Sequence, residues 1–229
     1  MNPPPDKVPT VVPPPARDRR QPPTRSRGWW GVAFVLVLTA GEAAAALPLT
    51  SHSTAFITAF YAEHRWSITI GQVVQLSAAA VLWQFVRAIA DSLPAGRRTD
   101  RVRYAGLAIA VVSLQTSAPV LALALVPGWN PSTARALASW TDSSDVLLFA
   151  AVTVWALACS RADLPAWARV AAVLLAGVAS ARVAIGVTGN PGLSAVAPVA
   201  FLVFLLALAI RMVVASRRDG PIPDARRPS

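Results

Sequence analysis

From residue 29 onward the apolar positions of this chain come in long unbroken blocks, neither alternating with polar ones nor confined to one helical face. The blocks cover 31–50, 67–85, 104–126, 140–160, 170–187 and 193–214. Each supplies about the 20 residues that a helix needs to cross a ~30 Å hydrocarbon layer. A helix that is apolar all round is stable only within a protein or in lipid. The pattern therefore predicts an all-α polytopic membrane helical bundle with six transmembrane helices. The fourth block is the weakest, because Asp142, Ser143, Ser144 and Asp145 interrupt its outer end and leave only 146–160 strictly apolar. A five-span count is the alternative. Between the first two blocks, Phe56, Ile57, Phe60 and Tyr61 recur at helical spacing beside His52, Glu63, His64 and Arg65. That spacing reads as a short amphipathic helix on the outer leaflet, or equally as a helical extension of the second span.

Composition agrees with the blocks: 55% of residues are hydrophobic and 14% charged, against about 45–50% and about 25% in soluble domains. Charge then orients the bundle. Lys and Arg number 21 against 11 Asp and Glu, a net charge of +10. Sorting the basic residues between alternate connections puts Lys7, Arg17, Arg19, Arg20, Arg25 and Arg27 on one side. Arg87, Arg97, Arg98, Arg101 and Arg103 join them there, with Arg161, Arg169, Arg211, Arg217, Arg218, Arg226 and Arg227. The other side receives Arg65 and Arg135. Basic loops stay in the cytoplasm, so both termini are expected to be cytoplasmic and the site of residence to be the bacterial cytoplasmic membrane. Removing the fourth span would scatter these arginines over both faces, so the charge pattern favours six. It also answers the nucleic-acid reading that +10 invites, since placement in membrane-flanking loops explains the excess without phosphate contacts.

Tryptophan gives a second marker of the boundaries, as its amphipathic ring prefers the headgroup level. Trp29, Trp30, Trp83 and Trp167 fall near inner boundaries and Trp66, Trp129 and Trp140 near outer ones, while Trp155 lies well inside a span. Residues 1–28, dense in proline and arginine, form an expected disordered cytoplasmic tail. Residues 29–215 form the transmembrane domain, and 216–229 a basic cytoplasmic tail. A secretory signal cleaved near Ala44, Ala45 and Ala46 is the competing view of the first block. The long proline-rich flank and the apolar continuation through Leu47 and Leu49 favour a retained span.

A charge inside a span costs about 2.5–3.5 kcal/mol on insertion scales, so those that persist usually face a protein interior or a wet cavity and have a partner. Glu42 and Arg182 are such residues. Rising about 1.5 Å per residue from their inner boundaries, both reach about 17–20 Å, in the outer half of the bilayer. Asp145 reaches a similar height, as do Gln115 on the third span and Gln72 and Gln75 on the second. The expected binding residues are thus Glu42, Gln75, Gln115, Asp145 and Arg182, with Gln72 beside them, in a polar layer open to the outer face. The equal alternative is an interhelical clamp that fixes helix register. Gly177, Ala181 and Ala184 are expected to let a neighbouring helix approach the fifth span closely.

No phosphate loop, nucleophile elbow or paired-histidine zinc helix occurs in the sequence, so no catalytic residue, enzyme activity or cofactor is expected. His52, Glu63, His64 and Asp142 carry metal-capable atoms without the spacing of a zinc motif, and no metal is expected. Cys159, the single cysteine, permits no intrachain disulfide and reads as an apolar filler.

Phe60, Tyr61, Ala62, Glu63, His64 and Arg65 lead into a polar-faced span that ends Phe85, Val86, Arg87, and Leu164, Pro165, Ala166, Trp167 open the fifth span. In these stretches the chain resembles a broad group of small multi-pass bacterial membrane proteins of unknown function. The likeness covers residues 29–215 and implies architecture, with no reaction attached. Two functions follow as expectations: binding or passage of a small solute or ion at the polar layer, or a membrane scaffold whose basic tails meet anionic lipid or a soluble partner.

Overall fold

The computed structural model describes residues 25–44, 52–126, 128–188 and 196–218. They form seven helices and, among these residues, no strand: α1 (Arg25–Ala44), α2 (Thr54–Glu63), α3 (Arg65–Asp91), α4 (Arg97–Leu125), α5 (Pro131–Ser160), α6 (Ala166–Thr188) and α7 (Val196–Arg218). Five of them, α3 to α7, are long and apolar enough to cross a membrane, which marks a membrane protein. The apolar part of α1, Arg27–Gly41, is shorter within the described residues.

The six longer helices close a ring. Helix α1 lies on α3, α3 on α4, α4 on α5, α5 on α6 and α6 on α7, and α7 returns to α1. Neighbours run antiparallel, as their contacts show: Gly31 meets Phe85 near one end of α1 and α3, and Gly41 meets Gln75 near the other. On the far side of α3, Gly106 of α4 sits against Val86. Gly28 of α1 sits under Val213 of α7 so tightly that an added Cβ would lie 2.6 Å from its Cγ2 and 2.9 Å from its backbone nitrogen. Close backbone approach of this kind is how helices pack where lipid offers no hydrophobic contrast.

Aromatic rings fill the middle. Trp155 of α5 packs edge-on against Phe201 and Phe204 of α7, with ring centres 6.1 and 5.8 Å away, and Phe201 meets Phe34 of α1 at 6.4 Å. Leu82, Phe85, Cys159, Leu205 and Leu208 complete this buried core. Outside the ring, Trp29, Trp30, Trp66, Trp140 and Trp167 are all exposed, which suits rings held at a lipid interface.

Helix α2 is a short helix of its own with one buried face, as its spacing predicted, and it does not continue α3. Ser53 caps it by accepting a hydrogen bond from the Phe56 N–H at 3.2 Å, and His64 breaks it from α3. Its buried Ile57 and Tyr61 pack with Ile68 of α3, Val120, Leu123 and Ala124 of α4, and Ala134 of α5, forming a second small core at one end of the bundle. The reason is the reach of α5. That helix begins at Pro131, nine residues before the expected start at Trp140, with the Asn130 side chain accepting from the Thr133 N–H at 2.8 Å and Pro131 in the first turn. The extra turns carry Ala134 and Leu137 up beside α2.

Two further expectations change. Residues 25–28, assigned to the disordered tail, are helical, and Gly28 is buried against α7. Gly177, Ala181 and Ala184 face outward, with open space around Gly177; α6 instead buries Ala168, Ala172, Ala176 and Ala179, and approaches α5 closely at Gly186, beside Val146. The tail residues 1–24 and 219–229 and the segment 45–51, with the candidate cleavage region at Ala45 and Ala46, lie outside the described residues.

Candidate functional site

The polar layer is built on α3, α5 and α6. Helix α5 presents Ser144 and Asp145 toward the interior on the same side as the buried Phe149 and Val152. Because α5 and α6 run antiparallel, Asp145, about 22 Å from the Ser160 end, comes level with Arg182, about 24 Å from Ala166. Arg182 Nη2 donates to Asp145 Oδ2 at 2.7 Å, with the side chains 19% and 39% exposed. The guanidinium also lies 6.0 Å from the centre of the Phe149 ring, at the outer limit of a cation–π contact. A short charge-assisted bond of this kind is among the stronger protein hydrogen bonds.

Beside the pair, and on α3, buried polar atoms stand without partners. Arg182 Nε, Ser144 Oγ and Gln72 Oε1 each lack a hydrogen bond, although Gln72 is only 2% exposed. Ser144 adjoins Asp145 on α5, whereas Gln72 stands on α3, which packs against α1, α4 and α2. An unpartnered buried polar group costs about 1–3 kcal/mol, so each of these asks for a reason. The atoms are chemically mixed: a guanidinium N–H that donates, an amide oxygen that accepts and a hydroxyl that does either.

The expected site residues are distributed unevenly over this geometry. Asp145 and Arg182 meet. Gln75 is half-buried on α3 against Gly41. Gln115 does not join the layer, because it lies on the outward face of α4, exposed. Glu42 occupies the last turn of α1, and its side chain falls outside the described residues. Its helix borders α3 and α7, whereas Arg182 stands on a helix that borders α5 and α7. Arg182 takes its carboxylate from α5. Ser144 is a further buried polar residue of this site, and its position beside Asp145 on an otherwise apolar helix is its signal in the sequence.

Comparison with known proteins adds nothing to this geometry: no family model, curated protein or solved structure matches the chain. Outward of the pair, Asp142 stands exposed near Tyr61 of α2, whose hydroxyl is pushed up to about 12, first by burial and second by the Asp142 charge. Among the described residues, no three His, Cys, Asp or Glu side chains are grouped to hold a metal ion.

Proposed function

We propose that this chain is a six-span protein of the bacterial cytoplasmic membrane, akin to small multi-pass proteins of that membrane, with both termini on the arginine-rich cytoplasmic face. It binds or passes a small solute or ion at the polar layer of α3, α5 and α6. The observation that carries the reading is the Arg182–Asp145 ion pair, set between two long apolar helices beside the unpartnered Arg182 Nε and Ser144 Oγ. Charges at such depth are expensive and are kept where they face a cavity or serve a ligand. Asp145, and Glu42 on α1, are the candidate counter-ions or proton acceptors, and Arg182 balances them.

Full-length protein in liposomes, given inward gradients of chloride, sodium and protons in turn and read by entrapped dyes, tests this. The expected result is a flux above that of empty liposomes for one of these ions, reduced about tenfold or more by Asp145→Asn, the equivalent of losing ~1.4 kcal/mol. Fluxes equal to empty liposomes for all three ions, with no shift in melting temperature on adding them, would remove ion passage and binding from consideration.

A further inference from the structure

A second site stands at the opposite end of the bundle, resting on the same reading of the chain as a membrane protein. Between α4 and α5, floored by the α5–α6 turn, runs a groove of about 870 Å³. Four arginines line it: Arg98 and Arg101 from the first turns of α4, Arg161 from the turn and Arg169 from the start of α6. The only carboxylate that answers them among the described residues is Asp163, 3.9 Å from Arg98 with both side chains largely exposed, a contact worth little in water. Arg101, Arg161 and Arg169 have no acidic partner there. Arg103, by contrast, is spent on Asp91 at 3.0 Å.

The rest of the lining is of another kind. Tyr104, Val154 and Leu157 form its wall, at 69%, 58% and 39% exposure, and they lie on the outward surfaces of α4 and α5. The groove therefore opens sideways, from a ring of guanidinium groups onto apolar helix faces. A soluble anion would use the arginines and leave that wall bare. A molecule with an anionic head and a hydrocarbon tail matches both halves, since guanidinium groups pair bidentately with phosphate oxygens and the tail lies along the apolar face. Basic pockets between spans on the cytoplasmic side hold lipid headgroups on this principle.

We propose that this groove is a binding site for an anionic phospholipid, its phosphate held by Arg101, Arg161 and Arg169 and an acyl chain lying over Tyr104, Val154 and Leu157. Native mass spectrometry of the full-length chain in detergent tests it. The wild-type chain is offered dioleoyl-phosphatidylglycerol, dioleoyl-phosphatidylcholine or inorganic phosphate. Retention of phosphatidylglycerol over phosphatidylcholine, undiminished by millimolar inorganic phosphate, is expected. Equal retention of the two lipids overturns the proposal, and so does displacement by phosphate, which would make the groove a site for a soluble phosphate. The triple variant Arg101→Gln, Arg161→Gln, Arg169→Gln should lose about tenfold or more in phosphatidylglycerol affinity. A control triple on the same basic end, Arg87→Gln, Arg97→Gln, Arg211→Gln, should keep it. Equal losses in both triples would show diffuse surface charge and overturn the site. Should the groove triple misfold, the wild-type comparison of lipids decides alone. Recovery of the chain in the aqueous fraction of lysed cells would instead sink the membrane reading, an outcome separable from lipid selectivity in detergent.

Discussion

Arg182 and Asp145 each lie on a helix that is otherwise apolar, and the cost of either alone explains why they meet. Removing one partner leaves an unpaired charge at membrane depth, while removing both leaves none. Arg182→Leu and Asp145→Leu should therefore each lower stability by about 2–3 kcal/mol, and the double variant by less than either, read as the midpoint of unfolding in mixed micelles. A double variant less stable than both singles would show that the two residues act separately. That both belonged to a polar layer was legible in the sequence, because a charge within an apolar block is conspicuous and helical rise gives its height. Their meeting was part of that expectation, in a cluster that also held Glu42, whose side chain lies outside the described residues. Height along a helix says nothing about which helices adjoin, so that α5 and α6 are neighbours while α1 borders α3 and α7 was not legible. Gln115 failed for a related reason: it has the right height on α4 and the wrong azimuth.

The boundaries of elements depended on capping more than on hydropathy. Asn130 and Pro131 form an N-terminal signature that was present in the sequence, yet the hydrophilic run from Asp142 to Asp145 drew attention to a later start. That run does not break α5, because Ser144 and Asp145 turn inward and Asp142 stands near Tyr61. The resulting dock for α2 is pH-sensitive at the alkaline end. The Tyr61 hydroxyl is raised from 10 to about 12, so its neutral form favours the docked state: that contribution is complete below pH 10 and fades as pH climbs toward 12. In a Tyr104→Phe chain, which leaves Tyr61 as the remaining tyrosine, absorbance at 295 nm should rise only as pH nears 12. Among helix contacts, Gly28→Ala should cost about 1–3 kcal/mol, since the new methyl would press on the α7 backbone. Gly177→Ala, with nothing near it, should be neutral or gain up to about 1 kcal/mol of helix propensity. Thermal unfolding of the two variants side by side checks the contrast.

At the scale of the whole molecule, the six blocks of apolar sequence predicted the long helices well, while the ring that they form was invisible, because contacts between first and last elements leave no local mark. The proposed sidedness is tested by single cysteines in the loop after α3 and on α2, as Cys159 is buried and stays silent. Ala62→Cys should react with a membrane-impermeant maleimide in intact cells and Ala95→Cys only after lysis; the reverse pattern would invert the bundle. The seam between α1 and α7 has a consequence for biosynthesis. Helix α1 leaves the ribosome well before α7, so until α7 arrives the nascent protein carries an unfinished flank at Gly28 and Gly31. A premature stop just before Val196 would strip Trp155 and Phe34 of the aromatic partners that join them. Late truncations of this chain should thus be as damaging as early ones, and quality control should meet them as orphaned membrane segments.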